Sequence, residues 1–287
     1  MTTTDTRLSQ LHWEVMTRKR GSATQGVPPG TEHLQWVSNA ATLFWNDHDA
    51  LLVDTFLSEA HTTELADWIE SKGSTLRTIY VTHAHPDHFF GLTVLLKRFP
   101  HARAIAPENV VQGMHDTITP EMRARWNKVW PGQVPDVLTV TEVLDAKSFM
   151  FGGREFRIVD TGHTDTDDTT AVHVPSMDLV IAGDAVYNET HPYMLECDRA
   201  GRQAWLDGLE IIAALNPRFV VVGHGPLEPD NSPKHIAATQ EYIRDFERLN
   251  QNTSTPRELY DRMLALYPER INPGSLWGSA NKAKSET

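Results

Sequence analysis

Residues 81–88 read Val-Thr-His-Ala-His-Pro-Asp-His, so His83, His85, Asp87 and His88 place three imidazoles and a carboxylate within six positions. Imidazole nitrogen and carboxylate oxygen are the donors that zinc and related transition ions take. Four donors this close cannot all point one way from a regular helix or strand. On a tight loop they can diverge toward two neighbouring ions. The run before them, Leu76 to Val81, is short and β-prone through Ile79, Tyr80 and Val81. That puts the loop at a strand end, a usual place for a site in an α/β protein. Three more donors stand in the same context. His163 follows strand candidate 154–159, Asp184 follows 178–182, and His224 follows 219–222. Each has a glycine beside it, which lets the chain turn sharply. Strand ends on one sheet edge can converge on one point.

The elements that must position these donors can be read from periodicity. Leu34–Trp45 and Ala50–Phe56 are apolar and β-prone, joined by the polar turn 46–49. In Glu59–Lys72, Leu65, Trp68 and Ile69 fall at helical spacing, and Gly73 stops the helix. Leu92, Leu95, Leu96 and Phe99 give the helix after the loop an apolar face. The first hundred residues therefore read β-β-α-β-α. The segment 107–131 holds one or two helices with Met114, Met122, Trp126 and Trp130, and reads as a lid or insertion or as core-packing helices. Strand candidates follow at 137–144, 154–159, 169–174 and 178–183, with a hairpin turn at Gly152-Gly153. An amphipathic stretch at 201–215, a buried-type strand at 219–222 and helices near 234–249 and 256–267 complete the pattern. The reading is one domain over 31–272, a peripheral N-terminal extension at 1–30 and a polar tail at 273–287.

In order and approximate spacing, the seven donors resemble the metallo-β-lactamase-fold hydrolase superfamily over residues 34–225, nearest its lactonases and glyoxalase II-like hydrolases. The resemblance implies an α/β fold, a four-layer αββα sandwich with the metal site at one edge between two sheets. It implies that His83, His85 and His163 hold one divalent ion, that Asp87, His88 and His224 hold a second, and that Asp184 bridges both. Zinc is the expected metal, with iron or manganese as alternatives. A water bridging two such ions loses its proton near neutral pH, so no serine or cysteine nucleophile is needed. Accordingly, no Gly-x-Ser-x-Gly elbow, Walker loop or Rossmann glycine pattern occurs in the sequence. His12, His33, His48, His61, His101, His115, His173 and His235 are read as non-ligands, and Cys197 as a small buried filler.

Composition narrows the partners. Lys and Arg total 26 against 38 Asp and Glu, a net charge of −12, which disfavours nucleic acid. No apolar run approaches a membrane span, and the start Met-Thr-Thr-Thr-Asp lacks a secretion-signal pattern. With one cysteine, an internal disulfide is excluded, and a cytoplasmic location is expected. A small-molecule substrate is the expected partner, and a homodimer is compatible with this reading.

One local feature bears on the substrate. Asp184-Ala-Val-Tyr187 is similar to the Asp-Ala-Ser-Tyr of acyl-homoserine lactonases, whose phenol hydrogen-bonds the substrate carbonyl region. Tyr187 and Asp87 are thus the candidate catalytic groups, Tyr187 for the developing oxyanion and Asp87 for proton return. Phe89, Phe90, Trp126, Trp130 and His191 are the candidate substrate-facing residues. The sequence reading is metal-dependent hydrolysis of an ester or lactone of a small, apolar substrate. The alternatives are thioester hydrolysis of the glyoxalase II type and, behind it, β-lactam hydrolysis or mononuclear iron dioxygenation through His83, His163 and Asp184.

Overall fold

Period-two alternation of apolar side chains builds two sheets in the computed structural model, which describes residues 10–285. The first sheet runs in sequence order through β1 (His12–Gly21), β2 (Trp36–Trp45), β3 (Asp49–Val53), β4 (Thr75–Tyr80), β5 (Arg103–Ala106) and β6 (Glu142–Val143). Strands β1 to β3 pair antiparallel, and β3 to β6 pair parallel. The second sheet contains β7 (Ser148–Phe151), β8 (Arg154–Gly162), β9 (Thr169–Val174), β10 (Leu179–Ile181) and β11 (Phe219–Val221). There β7 to β10 pair antiparallel, and β10 and β11 pair parallel.

Helices cover both outer faces. They are α1 (Glu59–Ser71), α2 (Pro86–Phe89), α3 (Leu92–Arg98), α4 (Glu108–Thr117), α5 (Pro120–Val129), α6 (Arg199–Ala214), α7 (Lys234–Gln251), α8 (Pro256–Leu266) and α9 (Pro273–Lys284). Alternate strand residues feed different cores. Phe44, Leu51, Val53 and Tyr80 face inward and meet Phe156, Val172, Val174 and Val221 between the sheets. Leu43, Leu52 and Ile79 face outward under Leu65 and Ile69 of α1 and Leu95 of α3. Val180 and Val220 face outward under Trp205, Phe246 and Met263. The result is the four-layer αββα sandwich, in which strands buried on both faces read as continuous apolar runs. Among the described residues, no helix is long and apolar enough to cross a membrane.

Three expectations about boundaries need correction. The 1–30 extension is not peripheral: from His12 to Gly21 it is β1, paired residue for residue with β2, while residues 1–9 lie outside the described part. As a charged edge strand, β1 carries Arg18, Lys19 and Arg20, which protect the edge but mask the period-two signal. The 273–287 tail contains α9, which buries Leu276, Ala280 and Ala283. Small residues make that face, so its apolar stripe is weak in sequence; residues 286–287 lie outside the described part. Of strand candidate 137–144, only Glu142–Val143 pairs.

Candidate metal centre

The donors gather where strands end. After β4, Val81 and Thr82 lead into His83 and His85, and α2 carries Asp87 and His88. Asp184 follows β10, and His224 follows β11. Since β8 and β10 both run antiparallel to β9, the end of β8 opens on the same edge and delivers Asp165. Two groups of donor atoms result: His83, His85, Asp165 and Asp184, and beside them Asp87, His88 and His224. Asp184 links them. Its Oδ2 lies 4.0 Å from His83 Nε2 and 2.8 Å from His224 Nε2, and its Oδ1 lies 3.2 Å from His88 Nε2.

Four of the imidazoles present one nitrogen to the centre while the other is held from behind. His83 Nδ1 contacts Thr82 Oγ1 at 3.0 Å, and His85 Nε2 contacts Glu196 Oε1 at 3.3 Å. His88 Nδ1 contacts Asp54 Oδ2 at 3.0 Å, and His224 Nδ1 donates to the Ser38 carbonyl at 2.5 Å. Such partners fix ring orientation and tautomer in metal sites. Asp54 also accepts from Thr82 N, so one carboxylate braces two positions of the loop; its φ of 63° is a left-handed geometry at which a non-glycine residue is strained. At the centre, His83 Nε2, His88 Nε2, Asp165 Oδ2 and Asp184 Oδ1 are buried and make no hydrogen bond among the described residues. His88 Nε2 lies 3.2 Å from Asp184 Oδ1 and His83 Nε2 lies 3.6 Å from Asp165 Oδ2, so the atoms crowd one centre. A buried polar atom left so costs about 1–3 kcal/mol, and a cation at that point would satisfy these atoms together. The donor set therefore fits divalent metal.

The comparisons with known proteins agree with the geometry. Residues 34–224 match the family profile of the metallo-beta-lactamase superfamily. The chain belongs to this superfamily. Over 100 residues it is 31% identical to a hydroxyacylglutathione hydrolase of Aeromonas salmonicida (strain A449), a match covering 35% of this chain and about a third (33%) of that relative. A metallo-beta-lactamase family protein of Thermus thermophilus superposes with a TM-score of 0.65 at 20% identity, over 94% of this chain and 91% of that one. A metallo-beta-lactamase of Pseudomonas aeruginosa in its mono-zinc form superposes with a TM-score of 0.57 at 15% identity, over 81% and 91%. At these identities the structural likeness is one of fold. Members of the superfamily are metal-dependent hydrolases.

In this chain of the metallo-beta-lactamase superfamily the electrostatics of the centre follow from burial opposed by close charges. Burial works against charge on His85, but Asp165 and Glu196 outweigh it and lift its pKa well above the usual histidine range. Burial is likewise outweighed at His88, by Asp184 and Asp54. At His83 the balance goes the other way: burial and the neighbouring His88 outweigh Asp165 and Asp184 and lower it to about 4. Asp87 is held well below the carboxylate range, because Arg20, His88 and His224 overcome its burial. Arg20 Nη2 lies 2.6 Å from Asp87 Oδ2, and Asn39 Nδ2 donates to the same oxygen at 2.5 Å. An ionised, doubly held Asp87 is a poor proton donor.

The structure sorts the remaining sequence candidates. His163 does not join either donor group: its Nδ1 lies 2.6 Å from Asp167 Oδ1, and its Nε2 turns toward Gly201 of α6. Tyr187 lines the cleft over the centre, and its phenol donates to Asp184 Oδ2 at 3.1 Å. Trp126 and Trp130 stack at 5.5 Å and also line that cleft. Within 107–131, α4 buries Val110, Val111 and Met114, whereas α5 buries none of its residues and forms the cleft wall. Phe89 and Phe90 are not at the mouth. Both are fully buried in the outer core beside Leu92 and Leu95, because α2 turns His88 toward the centre and the two rings away from it.

His191 also leaves the substrate list. It is fully buried, and its Nδ1 lies 2.7 Å from the Tyr242 hydroxyl. Burial, with Arg270 nearby, lowers its pKa to about 3. The unfolded chain takes up a proton near pH 6.5 that the folded chain refuses until about pH 3. Its contribution is thus complete above pH 6.5 and is lost as pH falls below it. His191→Gln is expected to shrink the stability difference between pH 7 and pH 5 by about 2 kcal/mol, read from urea midpoints at the two pH values. An unchanged difference would refute the neutral, buried assignment.

Sequence reasoning missed Asp165, Asp54, Glu196, Arg20, Asn39 and Ser38. Asp54 had a signal, as the polar residue ending the apolar run Leu51-Leu52-Val53. Asp165 lay in the Thr/Asp-rich stretch 164–170, which reads as a turn.

Proposed function

We propose that this chain is a dinuclear metallohydrolase that cleaves an ester or lactone of a small substrate with an apolar body. The observation that carries the reading is the convergence of orphaned, buried imidazole and carboxylate atoms whose outer atoms are already held. Two divalent ions bound there would polarise a carbonyl and supply a deprotonated water at neutral pH. The chain's residues do the rest. Asp87 stays ionised under Arg20 and Asn39 and orients the attacking water as an acceptor. Tyr187 keeps its proton, because burial and Asp184 push the phenol well above its ordinary value, and it donates to Asp184. It therefore acts as a positioning residue for that carboxylate at the cleft wall. Trp126 and Trp130 supply a flat apolar surface for the acyl body. Zinc is the metal proposed, and Asp165 makes manganese and iron competitive.

The similarity to a hydroxyacylglutathione hydrolase supports a second reading, thioester hydrolysis at the same centre. A panel of lactones, esters and thioesters compared by kcat/KM separates the two. Dialysis against a chelator should abolish activity and re-addition of metal should restore it; activity that survives removal of metal sinks both. Tyr187→Phe should lower lactone kcat about tenfold without loss of metal. An unchanged kcat would take the phenol out of the mechanism while leaving the metal reading intact.

A further inference from the structure

We propose that Asp165 takes the position at the first ion that the superfamily pattern gives to His163, so that His83, His85, Asp165 and Asp184 form that site. The inference rests on the dinuclear reading above and departs from the ligand set that the sequence resemblance implies. Three observations carry it.

The first is position. Asp165 is fully buried, with Oδ2 2.7 Å from His85 Nδ1 and 3.6 Å from His83 Nε2, and it belongs to the donor group that includes Asp184. The second is orientation. Thr164 Oγ1 donates to Asp165 Oδ1 at 2.9 Å, so Oδ2 is the oxygen turned to His85 and His83 at the centre. Thr164 is itself tied to Thr169, and Thr169 to Thr161, so a chain of hydroxyls across β8 and β9 holds the carboxylate in place. This matches the outer bracing of His83, His85, His88 and His224.

The third is the displacement of His163. The pairing of β8 with β9 slips between Asp160 and Gly162, and Gly162 takes a φ of +68°. The chain thereby turns the His163 ring toward α6. There its Nδ1 meets Asp167, and a side chain at Gly201 would come within 2.6 Å of its Nε2. That Nε2 is buried without a hydrogen bond and faces Gly201. Exchanging an imidazole for a carboxylate gives the first site a second anionic donor beside Asp184 and makes it harder, with two histidines and two aspartates. Oxygen donors of this kind favour manganese and iron relative to a site of three imidazoles.

The test is metal stoichiometry and cobalt spectroscopy on the full chain, comparing wild type, Asp165→Asn and His163→Gln. Wild type is expected to hold two ions. Asp165→Asn should lose one, with affinity at that site at least about 100-fold weaker and the visible cobalt bands changed. His163→Gln should hold both, with bands like those of wild type. Loss of one ion from folded His163→Gln overturns the inference, as does full retention in Asp165→Asn. If Asp165→Asn does not fold, His163→Gln decides alone, since retention supports Asp165 and loss overturns it. A wild-type chain that binds no divalent ion would instead sink the dinuclear reading itself.

Discussion

Asp184→Asn is expected to lower turnover by at least about 10³-fold, roughly 4 kcal/mol of barrier, while far-ultraviolet circular dichroism stays that of the folded chain. Asp184 reaches both donor groups, through Oδ2 to His83 and His224 and through Oδ1 to His88. Burial disfavours its charge, but His224 and His88 hold it ionised, well below the carboxylate range. A shared anion offsets the repulsion between two cations placed a few ångströms apart. Asparagine has nearly the same shape but no charge, and its nitrogen cannot accept. The substitution therefore separates charge from packing. The measurement is initial rate on the best substrate of the panel, with metal content determined in parallel. A variant that retains more than a tenth of wild-type turnover would remove Asp184 from its linking role.

How far the site was legible follows from where each residue acts. His83, His85, Asp87, His88, Asp184 and His224 could be found because strand ends and glycines mark them locally, and the two sheets then bring them together. The αββα layering was legible for the same reason: doubly buried strands such as Asp49–Val53 are continuous apolar runs with their own signature. The residues that brace the site have no local signature. Arg20 reaches Asp87 across 67 positions, and Ser38 meets His224 across 186. Only pairing of β1 with β2, and approach of the two sheets, creates those contacts. Phe89 and Phe90 show the opposite failure. Adjacency to ligands in sequence suggested a mouth, but a single turn of helix sends neighbouring side chains in different directions. His163 and Asp165 differ by two positions, and a register slip decides which of them faces inward.

Gly223→Ala is expected to do nearly as much damage as losing Asp184, with no change in any donor. A Cβ at position 223 would lie 1.9 Å from Asp184 Oδ1 and 3.0 Å from the Gly183 carbonyl carbon. The first distance is far inside contact, so the carboxylate or the backbone after β10 must move. The backbone has little freedom, because Gly223 N donates to the Gly183 carbonyl at 2.8 Å, and the Ala40 amide donates to the Gly223 carbonyl at 3.0 Å. Gly183 sits at φ +52° with Thr82 close by, where even a Cβ would come within 2.9 Å of Thr82 Oγ1. The carboxylate must therefore rotate out of the centre, which removes it from both donor groups at once. Overpacking of this kind costs about 1–3 kcal/mol of stability, and the metal complement should fall with it. Gly225→Ala is the control on the other side of His224. Its nearest neighbours would be a Val222 methyl at 3.3 Å and Asn188 Cβ at 3.4 Å, contacts that small shifts relieve. Thermal melting and elemental analysis of the two variants should diverge, with Gly225→Ala close to wild type and Gly223→Ala short of metal. Equal metal content in both would mean that Asp184 does not need the space that Gly223 leaves it.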